Sequence, residues 1–347
     1  VSGISCFALD FDYSGNLGYF MEMDDNTNDS TSNLGKVRLN LTASGDYNTA
    51  IVQLRNDGMN GTTITASDMY IKYAYLKTDI AAIFALDNIG ITTRFGKFEE
   101  WATNWNYATS THREMHVEES WCNGNVSDMG QAAINVDVGA IGFLAYANFT
   151  DNDFTDVYYK AGIYSGSAFP VEGLNFFASF SGGNDDMYVK ADMGYSMTIG
   201  DGIGFYIPVD ILYEITDSDL YYGSGVKVSN IAGLIDFNFG IGGDTSASDN
   251  YVSSMDAELY VRPIDNAAIF AKLYTSPTNS TTGFFNAVDF GGKYKFDMMT
   301  FYMGYVYAAE KYTTAGDGNT LCVCEDDSTS RYGVYGSGFY LAAKLDF

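Results

Sequence analysis

The sequence predicts an all-β chain: a single antiparallel, up-and-down β-barrel that crosses a membrane, with about 18 strands and 16 as the alternative count. Three observations carry this. Apolar and polar residues alternate with period 2 from one end of the chain to the other. Connections alternate between tight turns and polar, usually longer, segments. No run of about 18 consecutive apolar residues occurs, so a crossing must be made by strands closed on themselves and not by helices.

The elements follow in order. In the first, Phe7, Leu9, Phe11, Tyr13, Leu17, Tyr19, Met21 and Met23 share one parity, with Asp10, Asp12, Asn16 and Glu22 on the other. Successive strand residues face opposite sides, so such a segment has one apolar and one polar face. Met187 to Ile199 repeats it, with Met187, Val189, Ala191, Met193, Tyr195, Met197 and Ile199 against Tyr188, Lys190, Asp192, Gly194, Ser196 and Thr198. Phe205, Ile207, Val209, Ile211, Tyr213 and Ile215 then oppose Tyr206, Asp210 and Glu214. Ile235, Phe237, Phe239 and Ile241 oppose Asp236, Asn238 and Gly240; Met255, Ala257, Leu259 and Val261 oppose Asp256, Glu258, Tyr260 and Arg262. Strands are expected to begin near positions 6, 34, 48, 67, 91, 132, 142, 155, 174, 187, 203, 219, 233, 251, 267, 284, 299 and 332.

Tight turns are read at Gly45-Asp46-Tyr47, Gly139-Ala140-Ile141, Gly200-Asp201-Gly202, Pro263-Ile264-Asp265-Asn266 and Asp297-Met298. Polar connections are read at Asp24–Asn33, Asn56–Ala66, Gly243–Asn250, Ser276–Thr282 and Glu310–Arg331. Tight turns at one end and longer loops at the other describe a meander seen from the two sides of a membrane. Either strand count is even, which places both termini on one side.

Composition narrows the function classes. The 347 residues could hold two or three globular domains, but no linker, helical domain or strict repeat divides them, so residues 1–347 are read as one barrel domain. A hydrophobic fraction of 46% excludes wholesale disorder. A formal charge of −26 repels phosphates, so no nucleic-acid partner is expected. Only 4 prolines fit long continuous ladders, because proline removes a ladder donor. A soluble sandwich or solenoid also alternates, but it would have to bury the mid-strand charges on the polar face. The apolar face ends in aromatics (Tyr13, Tyr19, Tyr213, Tyr305, Tyr307 and Phe347), as interfacial girdles do. Val1 to Asp10 has no basic region leading into an apolar core, so the chain is either cytosolic or a mature form whose signal is gone.

The last strand, Phe339-Tyr340-Leu341-Ala342-Ala343-Lys344-Leu345-Asp346-Phe347, resembles the C-terminal signature of bacterial outer-membrane barrels, in which the terminal Phe, here Phe347, is read by the barrel-assembly machinery. With the strand layout, the chain most resembles the outer-membrane porins, typically homotrimers of 16 or 18 strands whose third outer loop folds into the barrel. The resemblance implies an outer-membrane location, contact with outer-membrane lipids, a homotrimer and a constriction loop at 98–131, the longest connection. That segment follows Ile91-Thr92-Thr93-Arg94-Phe95-Gly96-Lys97 and holds six acids, Glu99, Glu100, Glu114, Glu118, Glu119 and Asp128, against Arg113. Inward parity on the preceding strands falls on Lys36, Arg38, Arg55, Lys72 and Arg94. General porins set an acidic inner loop opposite a basic wall, and the resemblance carries those two roles to these residues. Opposed charges across a narrow wet constriction orient water and polar solutes and slow apolar ones.

Other chemistry is weaker. His112 and His116 stand four apart, but the Glu between them is at the wrong position for a zinc protease, and the chain has only 2 His, so no metal site is assigned. Neither His lies on a predicted strand, which disfavours a barrel hydrolase, and no enzyme is expected. Cys6, Cys122, Cys322 and Cys324 are too few for a disulfide scaffold, and their pairing stays open. No cofactor is implied. Acidic stretches such as Asp24-Asp25-Asn26-Thr27-Asn28-Asp29, Asn184-Asp185-Asp186 and Glu325-Asp326-Asp327 could bind Ca²⁺ weakly but lack EF-hand spacing.

Inner parity also falls on Lys160, Lys190, Lys227, Lys272, Lys293, Lys295 and Lys344 and on Gly162, Gly194, Gly223, Gly225, Gly240, Gly291 and Gly304. The glycines suggest a lumen not filled by large side chains. The sequence therefore points to passive diffusion of small hydrophilic solutes and ions, with weak cation preference. A substrate-specific channel for a sugar or organic acid is the alternative. Tyr158, Tyr164, Tyr188, Tyr206, Tyr260, Tyr274, Tyr302 and Tyr340 are the candidates for its aromatic slide. A non-conducting structural or adhesive surface barrel is the third reading.

Overall fold

The computed structural model describes residues 10–24, 30–56, 69–98, 130–149, 157–183, 186–200, 202–245, 252, 254–275, 287–308 and 337–347. They form β1 (Asp10–Asp24), β2 (Ser30–Ser44), β3 (Asn48–Asn56), β4 (Tyr70–Asp79), α1 (Ile80–Ile83), β5 (Gly90–Lys97), β6 (Gly130–Asp137), β7 (Ile141–Phe149) and β8 (Val157–Ser165). There follow β9 (Leu174–Gly183), β10 (Asp186–Ile199), β11 (Ile203–Glu214), β12 (Asp219–Ile231), β13 (Ile235–Asp244) and β14 (Ser254–Ile264). The last are β15 (Ala267–Thr275), β16 (Ala287–Phe296), β17 (Met299–Ala308) and β18 (Gly338–Asp346). Each strand pairs antiparallel with its neighbours in sequence, and β18 pairs with β1, so the 18-stranded sheet has no edge. The 16-strand count is thereby excluded.

The ring closes through nine opposed pairs, from Asn16 opposite Asp346 to Asp24 opposite Gly338. Beyond them Gly15 and Phe347 exchange both backbone hydrogen bonds, at 2.7 and 3.0 Å. A side chain on Gly15 would meet the Phe347 ring and the Arg38 carbonyl, so glycine is needed where the last residue docks.

All five tight turns read from the sequence lie at the end that also carries Phe347. Local chemistry shapes them. In the β6–β7 turn Gly139 takes a φ of +88°, and Asp137 Oδ1 accepts its N–H at 2.8 Å while Oδ2 accepts from Ser167 at 3.0 Å, so one carboxylate ties two neighbouring turns. Asp79 caps α1, its Oδ1 accepting from the Ala82 N–H at 2.9 Å.

The two faces sort as the alternation requires. Ile207, Ile211, Phe237, Ile269, Phe290, Phe301 and Met303 point outward and are exposed, a surface that only lipid makes favourable. Tyr13, Tyr213, Tyr307 and Phe347 are exposed on the same face, and Tyr305 packs edge-on against Phe339 with ring centroids 4.8 Å apart. The inward face holds Lys160, Lys190, Asp192, Asp210, Asp256, Glu258, Lys272 and Asp289, all buried. Among the described residues no helix is long and apolar enough to cross a membrane, so the strands do the crossing.

Four pairings carry an irregularity: β1–β2, β3–β4, β12–β13 and β14–β15. The β3–β4 one matters for the interior. Leu54 and Gln53 stand opposite Ile71 and Tyr73, which leaves Lys72 as an extra residue and moves inward parity to Tyr73, Tyr75 and Lys77.

Candidate functional site

The inner wall is the candidate site, and its first sector is β2–β5. Arg38 on β2 stands directly opposite Arg55 on β3. One step along, Gln53 Nε2 donates to Asn40 Oδ1 at 2.6 Å. Lys72 sits at the β4 bulge with its ammonium 5.7 Å from the Tyr73 ring centre. Arg94 on β5 stands opposite Lys77, and its guanidinium lies 5.0 Å from the Phe98 ring centre. Lys77 was hidden from sequence reading by the parity shift, for which the only signal is two inward residues in succession. Lys36 falls at the β1–β2 irregularity, and its side chain lies outside the described residues. The sector thus contains two directly opposed like-charged couples, Arg38–Arg55 and Lys77–Arg94. Such couples are destabilising unless anions neutralise them.

The acidic half of the expected constriction, Glu99, Glu100, Glu114, Glu118, Glu119 and Asp128, lies outside the described residues. So do Arg113, both His, all four Cys and residues 25–29, 184–185 and 325–327 of the acidic stretches. Gly130 and Gln131 begin β6, which shortens the expected 98–131 connection at its far end. Its first residue is firmly placed. Phe98 is 1% exposed and packs with Ala133, Leu144, Tyr146 and Phe177, while its N–H donates to Gln131 Oε1 at 2.7 Å. Tyr75 and Tyr146 contact its ring at centroid distances of 5.6 and 5.9 Å. An apolar cluster on the inner face of β4–β9 therefore fixes where this connection departs.

The second sector runs over β12–β16. Lys227, Asn238, Glu258, Lys272 and Asp289 are directly opposed in succession, one per strand, in a row of alternating polarity. Asn238 Nδ2 donates to Glu258 Oε2 at 2.9 Å, and the Tyr260 hydroxyl donates to the same oxygen at 3.4 Å. The Lys272 ammonium lies 5.5 Å from the Phe270 ring centre and 5.9 Å from that of Tyr260, with Lys293 5.6 Å from Tyr260 as well. The Tyr340 hydroxyl donates to Asp289 Oδ1 at 3.0 Å. On β10–β11 the arrangement is mixed: Lys190 pairs with Asp192 at 3.4 Å, and Asp192 faces Asp210. Among the described residues no three or more His, Cys, Asp or Glu side chains cluster as a metal would need.

Adjacent rows explain four of the inward glycines, Gly162, Gly194, Gly291 and Gly304, each of which lies beside a neighbouring aromatic ring. Tyr260, Phe270, Gly291, Gly304 and Tyr340 are opposed in succession on β14–β18. A methyl group on Gly304 would collide with Tyr340, and one on Gly291 with Phe270 and Tyr340. Gly142 lies under the Tyr164 ring, Gly162 under Phe177 and Gly194 under Tyr206. These glycines are beds on which neighbouring aromatics lie flat along the wall, and the volume they vacate is used by rings. The tyrosines read as an aromatic slide do point inward, the Tyr274 side chain being outside the described residues. Tyr73, Tyr75, Tyr146, Phe177 and Phe270 join them, unread until register was known.

A closed antiparallel ring with an apolar outside and a charged, aromatic-lined inside defines a transmembrane β-barrel of the porin type. No protein-family model matches the chain, and no curated protein matches it. Solved structures do. OpdQ of Pseudomonas aeruginosa is similar at 9% identity over 98% of each chain with a TM-score of 0.58. OpdK of Pseudomonas aeruginosa, solved with vanillate, is similar at 9% identity over 98% of each chain with a TM-score of 0.55. A mutant of the Rh. blastica porin is similar at 8% identity over 97% of this chain and 100% of its own, with a TM-score of 0.52. At such identities the likeness establishes the fold, which is that of the porin barrels.

Proposed function

We propose that this chain is an outer-membrane porin, a passive channel for small hydrophilic solutes and ions with weak cation preference. The observation that carries it is the closed ring whose inner face segregates charge: β2–β5 presents Arg38, Arg55, Lys77 and Arg94, while β12–β16 alternates acids and bases. In this reading Glu99, Glu100, Glu114, Glu118 and Glu119 supply the anionic half of the constriction, and Lys36, Arg38, Arg55, Lys72 and Arg94 the cationic half. The overall charge of −26 favours cations at the mouths, an effect that fades beyond about 10 Å at 0.1 M salt. The reading includes a homotrimer, docking of Phe347 by the assembly machinery, and no catalytic role. Weak Ca²⁺ binding by the acidic stretches belongs to it as a surface property.

Single-channel recording in a planar bilayer under a salt gradient tests it. Discrete steps with a cation-biased reversal potential are expected, and Glu99→Lys with Glu100→Lys should move that potential toward anions. A folded, detergent-resistant barrel that passes no current would sink the diffusion reading and leave the surface-structural one. The substrate-specific alternative gains support from the rows of inward aromatics, and OpdK, solved with vanillate, shares the fold. Saturation of the current by one solute would favour it.

A further inference from the structure

Among the connections at the turn end, the one between β4 and β5 stands apart. It opens with seven consecutive apolar residues, Ile80-Ala81-Ala82-Ile83-Phe84-Ala85-Leu86, and within α1 only Ala81 is buried. Ile83, Phe84, Leu86 and, just before β5, Ile89 are 43, 69, 41 and 40% exposed. Their direction follows from the strands. Leu76 and Thr78 point outward on β4, and Ile80 continues that parity; Ile83 and Phe84 stand three and four residues on, which is the same helical face. Ile89 likewise continues the outward parity of Ile91 and Phe95 on β5. This apolar surface is therefore continuous with the lipid-facing wall. The Asp79 N–H donates to the Tyr47 carbonyl at 2.8 Å, so the β2–β3 turn, with Tyr47 exposed, stands beside it. Thr78 and Asn48, the outward polar pair next to it, satisfy each other at 2.7 Å.

We propose that the α1 turn is a membrane-interface anchor, with Ile83, Phe84 and Leu86 seated at the boundary between headgroups and acyl chains of a zwitterionic phospholipid leaflet. The inference goes beyond the channel reading and holds whether or not the barrel conducts. Area and charge decide the occupant. Four side chains so exposed offer about 350 Å² of apolar surface, under half of the about 800 Å² that each partner of a stable protein interface contributes. A lipid leaflet sets no such minimum, because it covers each apolar side chain separately, with a gain proportional to area. No charge occurs from Ile80 to Leu86, and the flanking charges, Asp79 and Asp87, are acids. A neutral headgroup suits that setting and an anionic one is repelled.

The test places one reporter in the segment. Phe84→Trp, labelled with fluorotryptophan and reconstituted in phosphatidylcholine nanodiscs, adds one fluorine resonance to those of the 3 native Trp. Ile83→Trp carries the reporter if Phe84→Trp fails to fold, folding being checked by heat-modifiable mobility. Phosphatidylcholine bearing a nitroxide near the top of its acyl chain should broaden the added resonance at least threefold, while a water-soluble gadolinium chelate leaves it sharp. Broadening by the chelate and not by the lipid places the segment in water and overturns the anchor. Protection from both means that protein covers it, a second copy included, and the lipid reading falls. An equal or larger nitroxide effect in phosphatidylglycerol discs overturns the neutral-headgroup assignment. Phe84→Asp should slow insertion of the barrel into phosphatidylcholine vesicles at least threefold, and an unchanged rate overturns the anchoring role.

Discussion

Two sectors of one inner wall solve the same electrostatic problem in opposite ways. On β12–β16 opposite charges alternate across neighbouring strands, Glu258 beside Lys272 beside Asp289, and the row is enclosed. On β2–β5 like charges face each other, Arg38 with Arg55 and Lys77 with Arg94. An enclosed charge requires a nearby counter-charge because desolvation is expensive. A row of cations on one side of a barrel is tolerated only where water, anions or acids from elsewhere screen it. The difference teaches that the β12–β16 sector neutralises its charge within the wall, whereas the β2–β5 sector leaves its charge to be neutralised from outside the wall.

The sharpest way to break that contrast is Lys272→Met. It leaves Glu258 and Asp289 enclosed without their cation and should cost about 3–5 kcal/mol in denaturant unfolding of the folded barrel. A double variant with Asp289→Leu should recover part of the loss, and if Lys272→Met proves no worse than Arg55→Gln, the two sectors are not different in kind. Phe98→Ala should cost a similar amount, about 3–5 kcal/mol, because it empties the cluster against Tyr75, Tyr146 and Phe177. Gly304→Val forces Tyr340 off its bed and away from Asp289, with about 1–3 kcal/mol lost by the same measurement. The smallest effect is electrical. Arg55→Glu replaces one member of the Arg38–Arg55 couple by an acid and should move the reversal potential toward cations.

How much of this was legible beforehand depended on whether a feature is local in sequence. Strand number, facing and turn placement were, because period 2 is written within each strand: Ile207, Val209 and Ile211 reveal β11 unaided. The Lys72 bulge was not, since one inserted residue leaves no local mark and Lys77 changes face without any change of composition. Nor was the role of the inward glycines. Gly304 alone looks like open space, and only its register opposite Tyr340 turns it into a bed for a ring. The inward cations of the β2–β5 wall were readable from Arg38, Arg55 and Arg94, each on a regular stretch. The paired row on β12–β16 was visible only as scattered charges until five strands were aligned.

The seam between β1 and β18 sets the order in which such a ring can form. Every other pairing joins neighbours in sequence, whereas Asn16 and Asp346 are 330 positions apart. By the logarithmic loop-closure law that one juncture costs about 5 kcal/mol of chain entropy, where a hairpin costs a fraction of it. Until β18 arrives, the outer edge of β1 presents a line of unmet amides and carbonyls, which neither lipid nor a neighbouring chain leaves alone. Insertion is therefore close to all-or-none. A chain lacking its last nine residues would be left as an open sheet searching for an edge, and not as a slightly narrower cylinder.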